Sequence, residues 1–240
     1  SKIVISCLPG PPEVEEVALG ANGILEGAHK GDLYIDMTTS TPSCIRKIAK
    51  VAATKGVQVL DAPVTGGVRG ARLATLSIMV GGSRPAFDFC EPILKKIGER
   101  IFYVGDVGAG CVAKLVNNMM GMSNTLAAME AMVIGAKAGV DPQKLLEVAN
   151  AGTGASFMLN NTFTYIVLKG KFEPTRFAMS LAAKDFHLAV DYAHEIGVPV
   201  RVVQSVADAF DEALKQGLGE KDMTTYITLL EKAAGVEVRA

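Results

Sequence analysis

The chain has 240 residues, of which 49% are hydrophobic and 20% charged, and its formal net charge is −1. This apolar share excludes a disordered chain, which would lack the surface needed to offset chain entropy. The balance of 24 basic and 25 acidic residues argues against nucleic acid as a partner. No apolar stretch reaches the ~18 residues of a membrane span, and the first residues do not form a signal peptide. The four cysteines form no CxxC pair and no acid–histidine cluster is visible, so we expect a cytoplasmic protein without disulfides or metal.

The first hundred residues alternate between short strand-like runs and helical runs. The pattern predicts strands over residues 2–7, 32–36, 57–60, 76–80 and 101–104. It predicts helices over residues 11–19, 42–55 and 85–97. Such alternation is typical of a mainly parallel sheet that helices cover on both faces.

After Gly105 the pattern becomes helical throughout. One long helix is predicted over about 109–138, and others over 155–168, 178–196, 199–216 and 223–233, with a further helix capped by Asp141 and Pro142. We therefore predict an α/β fold in which a Rossmann-type domain, residues 1–105, precedes an all-α domain, residues 106–240. The long helix joins the two.

Residues 108–113 match the dinucleotide-binding pattern G-x-G-x-x-A between a predicted strand and a helix. That pattern also requires a second strand bearing an acid about 20 residues further on. Here the helix simply continues. We favour the interpretation that Gly108 and Gly110 let a loop approach a ligand at the start of the helix.

A glycine-rich segment, DAPVTGGVRGA at residues 61–71, follows the third predicted strand. Open α/β sheets bind ligands at the carboxyl ends of their strands. The consecutive glycines Gly66 and Gly67 could expose backbone N–H groups that hold an anion. An ordinary glycine turn explains the same residues equally well.

Lys114 and Asn118 are four residues apart, so both project from one face of the long helix. Their neighbours are apolar, among them Leu115 and Met119. Desolvation in such surroundings lowers the pKa of a lysine and suits it to acid–base chemistry. The alternative is a lysine that extends into solvent beside an asparagine on a wet face.

Three segments in order, residues 61–71, 108–118 and 177–189, make the sequence resemble the β-hydroxyacid dehydrogenase family. The likeness is strongest to 3-hydroxyisobutyrate dehydrogenases and to tartronate-semialdehyde and glyoxylate/succinic-semialdehyde reductases. It covers essentially the whole chain. The sequence departs from the family at Thr65, where serine is commoner, and the extra methyl group predicts a slightly tighter pocket.

The resemblance implies a role for several residues. Lys114 is implied as the catalytic acid–base. The residues implied to bind substrate are Thr65, Gly66, Gly67, Asn118 and Lys184. Those implied to bind the cofactor, NAD or NADP, are Leu8, Pro9, Glu13, Thr39, Lys184 and Asp185.

The implied reaction is hydride transfer between the cofactor and a short β-hydroxy acid, giving a semialdehyde. The implied assembly is a homo-oligomer, a dimer or tetramer, formed through the helical domain. The family's opening G-x-G-x-x-G turn is not in this sequence, so we expect an N-terminally incomplete Rossmann domain that lacks roughly sixty residues. Of three explanations, we favour omission from this chain over a naturally short protein and over replacement by a partner chain. A cofactor-free family member acting as a binding or structural dimer is the alternative function.

Overall fold

Six strands in the first part of the chain form one sheet, in a computed structural model that describes residues 1–240. They are β1 (Ile3–Ser6), β2 (Leu33–Asp36), β3 (Gln58–Asp61), β4 (Val64–Thr65), β5 (Leu76–Gly81) and β6 (Gly98–Gly105). Five of them lie where the sequence predicts strands. The sequence does not predict β4, because two residues are too few to show an alternating pattern.

The sheet is mainly parallel, as the sequence predicts, with antiparallel pairing confined to β5. Strands β1, β2 and β3 pair in parallel, and so do β5 and β6. However, β5 runs antiparallel to both β3 and β4. A parallel connection needs a crossover of a dozen or more residues, whereas only the short helix α3 (Gly67–Leu73) lies between β4 and β5.

Helices cover both faces of the sheet, as predicted. On one face α1 (Pro11–Leu19) and α2 (Pro42–Thr54) pack through Val14, Ile45 and Ile48 against Tyr34. On the other face α4 (Arg84–Leu94) packs against the side chains that alternate with Tyr34 along β2. Helices α2 and α4 each begin at a hydroxyl cap followed by proline, the combination that satisfies first-turn N–H groups.

The second part of the chain is helical, as predicted. Its elements are α5 (Ala109–Lys137), α6 (Pro142–Ala151), a π-helix (Leu159–Val167), α7 (Met179–Glu195), α8 (Val202–Lys215), a 3₁₀ turn (Met223–Thr225) and α9 (Tyr226–Ala234). Phe163, Phe186 and Phe210 are fully buried in its core, and the last two rings meet edge to face with centroids 5.5 Å apart. None of the helices combines the length and hydrophobicity that crossing a bilayer requires.

The chain divides into two units, Ser1–Val116 and Asn117–Ala240. The sequence predicts the division after residue 105, at the end of the last strand. The observed division comes later, and the first turn of α5 is bonded to Asp61 at the end of β3.

Candidate active site

The carboxyl end of β3 holds the beginning of α5. Asp61 is fully buried, and its Oδ1 accepts a hydrogen bond of 2.8 Å from the N–H of Gly108. Its Oδ2 accepts one of the same length from the N–H of Cys111. The first N–H groups of a helix have no intrahelical acceptor and carry partial positive charge, so a carboxylate there acts as a cap. Asp61 therefore caps α5 from a neighbouring strand.

Burial raises the pKa of Asp61 from its usual value, and the two backbone N–H groups oppose that rise. The neighbouring thiol of Cys111 has its pKa raised well above the ordinary value, mainly because it too is buried. This thiol is therefore not poised to act as a thiolate nucleophile.

Two glycines at the start of α5 serve packing within the protein, which differs from the predicted approach of a ligand. A Cβ at Gly110 would collide with the backbone oxygen atoms of Met79 and Asp61. Gly108 has φ of +94°, and a Cβ there would meet the Arg46 side chain. The G-x-G spacing thus lets α5 approach the sheet closely, and no phosphate is needed to explain it.

Lys114 lies on α5, one turn after Cys111, and is only 8% exposed. Burial of this degree excludes the alternative of a lysine that extends into solvent. Neighbouring Leu115 is also buried, whereas Val116 and Met120 are exposed, so the helix face around Lys114 is less uniformly covered than the sequence suggests.

The glycine pair near Thr65 begins a helix. Thr65 is the last residue of β4, Gly66 follows with φ of +124°, and α3 starts at Gly67. Gly66 offers no side chain to cap α3. The first-turn N–H groups of this helix therefore lack both intrahelical acceptors and a side-chain cap, and Gly66 and Gly67 are exposed. Exposed backbone N–H groups of this kind can donate hydrogen bonds to a carboxylate. The sequence does not predict α3, the helix that begins here.

In the second unit, Asp185 joins two residues to which the resemblance gives a role in substrate binding, Asn118 and Lys184. Asn118 Nδ2 donates a 2.7 Å hydrogen bond to Asp185 Oδ2, and Lys184 Nζ lies 2.9 Å from Asp185 Oδ1. Asp185 itself is 3% exposed. Asn117 Nδ2 donates to Asn118 Oδ1 at 3.2 Å. The Asn118 amide is thereby fixed with its nitrogen towards Asp185.

The residues implied to bind the cofactor lie around the ends of β1 and β2. Leu8 and Thr39 are partly exposed, and Pro9 and Glu13 are exposed. The Leu8 N–H donates to Thr38 Oγ1 at 2.9 Å, which fixes the loop after β1. Partly open loops at the carboxyl ends of parallel strands fit a dinucleotide. Asp185 is 3% exposed, and the cofactor contact implied for it stays a prediction.

Two buried acids, Asp36 and Asp61, open segments that the resemblance places at the cofactor and the substrate, but the sequence assigns neither side chain a role of its own. Their position in the sequence could have pointed to them, since each is the last residue of a parallel strand. No group of three or more His, Cys, Asp or Glu side chains is placed to hold a metal ion.

Two family models cover most of the chain. The NAD-binding domain of 6-phosphogluconate dehydrogenase matches residues 1–105. The model described as NAD-binding of NADP-dependent 3-hydroxyisobutyrate dehydrogenase matches residues 108–230. These matches correspond to the sheet-containing part and the helical part of the chain.

Individual proteins show the same likeness. The 2-(hydroxymethyl)glutarate dehydrogenase of Eubacterium barkeri is 37% identical over 238 residues, covering 99% of this chain and 79% of its own. The 2-hydroxy-3-oxopropionate reductase of Escherichia coli is 32% identical over 234 residues, covering 98% and 80%. The Mycobacterium tuberculosis 3-hydroxyisobutyrate dehydrogenase solved with L-serine has a TM-score of 0.86 at 30% identity, covering 96% and 79%. The chain therefore belongs to the β-hydroxyacid dehydrogenase family of NAD- or NADP-dependent oxidoreductases.

Proposed function

We propose that this protein interconverts a short β-hydroxy acid and its semialdehyde, with Lys114 as the acid–base. The observation that carries the proposal is the burial of Lys114 on a helix whose start is fixed by Asp61. A lysine in such a place can exchange its proton with a substrate oxygen while bulk water is kept away.

The proton moves in opposite directions in the two reactions. In oxidation, the neutral amine of Lys114 accepts the substrate's hydroxyl proton as the carbon loses a hydride. In reduction, the ammonium group returns a proton to the forming alkoxide. When bound, the nicotinamide cofactor supplies the hydride acceptor or donor.

Asn118 is proposed to hydrogen-bond the substrate oxygen that exchanges its proton with Lys114. It lies one turn beyond Lys114 on the continuous helix α5. An amide nitrogen carries two hydrogens, and Asp185 accepts one of them. The other is proposed to donate to the substrate. Asp185 is proposed to position Asn118 and Lys184 and, as the resemblance implies, to contribute to cofactor binding.

The substrate's carboxylate is proposed to bind at the start of α3. The N–H groups after Gly66 and the hydroxyl group of Thr65 are hydrogen-bond donors, and successive backbone N–H groups in such a turn can hold an anion. Lys184 is proposed, from the resemblance alone, as a further substrate-binding residue. The proposal is that this set selects a small carboxylate, and Thr65 narrows the space available beside it.

The cofactor is proposed to lie against Leu8, Pro9, Glu13 and Thr39. These residues follow β1 and β2 within the segment that matches an NAD-binding domain. A choice between NAD and NADP does not follow from these four residues.

Self-association through the second unit is also proposed. Large apolar side chains on three successive elements of that unit stay exposed, namely Ile134 at 70%, Val148 at 73%, Phe157 at 77% and Tyr165 at 67%. Large exposed apolar groups are common where protein surfaces meet.

Turnover assays on the full-length protein test the proposal. NADH and NADPH oxidation would be followed with methylmalonate, tartronate and succinic semialdehydes and with glyoxylate. We expect turnover with at least one combination, and Lys114→Met to lower kcat by about 10²–10⁴-fold because general acid–base help is lost. Methionine keeps most of the side-chain length, so folding should be retained.

Lys144→Met is the matched control, since Lys144 is 71% exposed and pairs only with its neighbour Glu147 on α6. It should leave kcat unchanged. Equal kcat in Lys114→Met and the wild type would remove Lys114 from the mechanism. Failure of the wild type to bind either cofactor would favour the cofactor-free alternative.

A further inference from the structure

Three neighbouring strands in the first unit end in polar residues that face one another in register. Ser6 on β1 is opposite Asp36 on β2, and Asp36 is opposite Asp61 on β3. Both acids are fully buried. Asp61 caps α5, whereas the Asp36 side chain bonds only to Ser6 and Thr38.

Asp36 Oδ1 is the centre of a hydrogen-bonded chain. It accepts bonds from Ser6 Oγ at 2.8 Å and from Thr38 Oγ1 at 2.7 Å. Thr38 Oγ1 in turn accepts the N–H of Leu8 at 2.9 Å. At the other end, Ser6 Oγ lies 2.8 Å from the Tyr34 hydroxyl oxygen. The chain therefore joins the loop after β1 to the loop after β2 through side chains.

This arrangement is costly for stability. Asp36 Oδ2 is buried and makes no hydrogen bond, and burial together with nearby Asp61 raises the pKa of Asp36. Apolar residues of similar size usually pack more favourably than buried charged groups. The buried carboxyl group of Asp36 is therefore better explained by a functional role than by a contribution to stability.

The position of Asp36 at the carboxyl end of β2 indicates what this role is. Open α/β sheets bind ligands outside the carboxyl ends of their strands, which is where both joined loops lie. Both loops fall within residues 1–105, which match an NAD-binding domain. We infer that Asp36 is a positioning residue for the cofactor: through Ser6 and Thr38 it fixes the relative position of the loops after β1 and β2, so that NAD(P)H meets a preformed surface. This inference rests on the proposed function.

A matched pair of substitutions at Thr38 tests it in the full-length protein. Thr38→Val removes the hydroxyl group that links Asp36 to the Leu8 N–H, whereas Thr38→Ser keeps it. Dissociation constants for NADH and NADPH would be measured by fluorescence titration, alongside KM for cofactor and for hydroxy acid. We expect Thr38→Val to weaken cofactor binding about tenfold, as for a lost hydrogen bond to a charged group, and Thr38→Ser to bind like the wild type.

The pattern of kinetic constants separates positioning from general damage. Only the cofactor KM should rise in Thr38→Val, while the hydroxy-acid KM and kcat at saturating cofactor stay near wild-type values. Asp36→Asn keeps an oxygen where Oδ1 accepts its bonds, so it should bind cofactor within about threefold of the wild type. Thr54→Val is the control, because the exposed Thr54 hydroxyl bonds only within α2.

Should Thr38→Val fold poorly, Ser6→Ala breaks the chain on the other side of Asp36 and should weaken cofactor binding in the same way. Wild-type cofactor affinity in a folded Thr38→Val or Ser6→Ala protein overturns the inference while leaving the proposed function intact. A parallel rise in both KM values also overturns it, because it indicates general damage. Failure of the wild type to bind either cofactor overturns both.

Discussion

Individual buried polar residues in this protein fall into two groups by what satisfies them. Asp61 has both oxygens bonded to backbone N–H groups, and Asp185 has an amide and an ammonium group beside it. Asp36 differs, since one of its oxygens has no partner. The cost of burying a carboxylate is therefore least offset at Asp36. Of the three acids, Asp36 should be the one whose replacement by a neutral residue most changes the pH dependence of stability.

The pH dependence of stability should reveal the burial of Asp36. Its folded pKa lies above the usual 3.8 because burial disfavours the charged form. Below pH 3.8 it is protonated in both the folded and unfolded states. As pH rises, the unfolded chain loses this proton first, so stability falls until pH passes the folded pKa. Asp36→Asn stays neutral throughout and should avoid this loss.

We therefore expect the free energy of unfolding of Asp36→Asn, relative to the wild type, to increase from pH 4 to pH 7. The gain should be about 1.4 kcal/mol for each pH unit by which the folded pKa exceeds the usual value. Denaturant unfolding at several pH values measures it. A difference between variant and wild type that is constant over this range would contradict the raised pKa.

Among the elements, α5 depends most on a residue far from it in sequence. Asp61 precedes the helix by more than forty residues, yet it supplies the acceptors for Gly108 and Cys111. Gly110 allows the close approach that these bonds require. The position of Lys114 thus follows from the end of β3 as much as from its own helix.

Asp61→Ala should destabilise the protein by about 2–4 kcal/mol, because two N–H groups near the sheet lose their acceptors. It should also lower kcat, since the turn that carries Lys114 is no longer fixed. Asp141→Ala is the comparison, because Asp141 caps α6 at an exposed site and should cost only about 1 kcal/mol with kcat unchanged. Thermal unfolding and turnover assays measure both effects. Equal destabilisation by the two variants would show that the hydrogen bonds accepted by Asp61 contribute no more to stability than an ordinary helix cap.

The sequence predicts elements well where the signal is local and poorly where it is not. Helix α1 lies at the predicted bounds, since the prolines and acids at its start and the glycine after it act locally. Helix α3 is missed because it begins at glycines that also suit a turn, and it is only seven residues long. The antiparallel direction of β5 and the bonds from Asp61 to α5 depend on contacts distant in sequence. Hence the apolar neighbours of Lys114 suggest its burial, whereas the bonds made by Asp36 and Asp61 cannot be read from the sequence.

At the scale of the whole molecule, the two units have different kinds of core. The first has its sheet covered on both faces and ends β1, β2 and β3 in buried polar residues. The second buries Phe163, Phe186 and Phe210 in one core. Both units leave large apolar side chains exposed, among them Phe89 in the first and Phe157 in the second. Association of two copies through the second unit is therefore a proposal that a matched pair of substitutions can test.

We expect the protein to form a dimer or tetramer at micromolar concentration, which light scattering after size-exclusion chromatography measures. Phe157→Ser should shift the population towards smaller species, because burying a phenylalanine side chain contributes about 1.5–3 kcal/mol. Phe89→Ser is the control, since Phe89 lies on α4 of the first unit and is 67% exposed, close to the 77% of Phe157. It should leave the assembly unchanged. A wild-type monomer at every concentration tested, or dissociation caused by Phe89→Ser alone, would contradict association through the second unit.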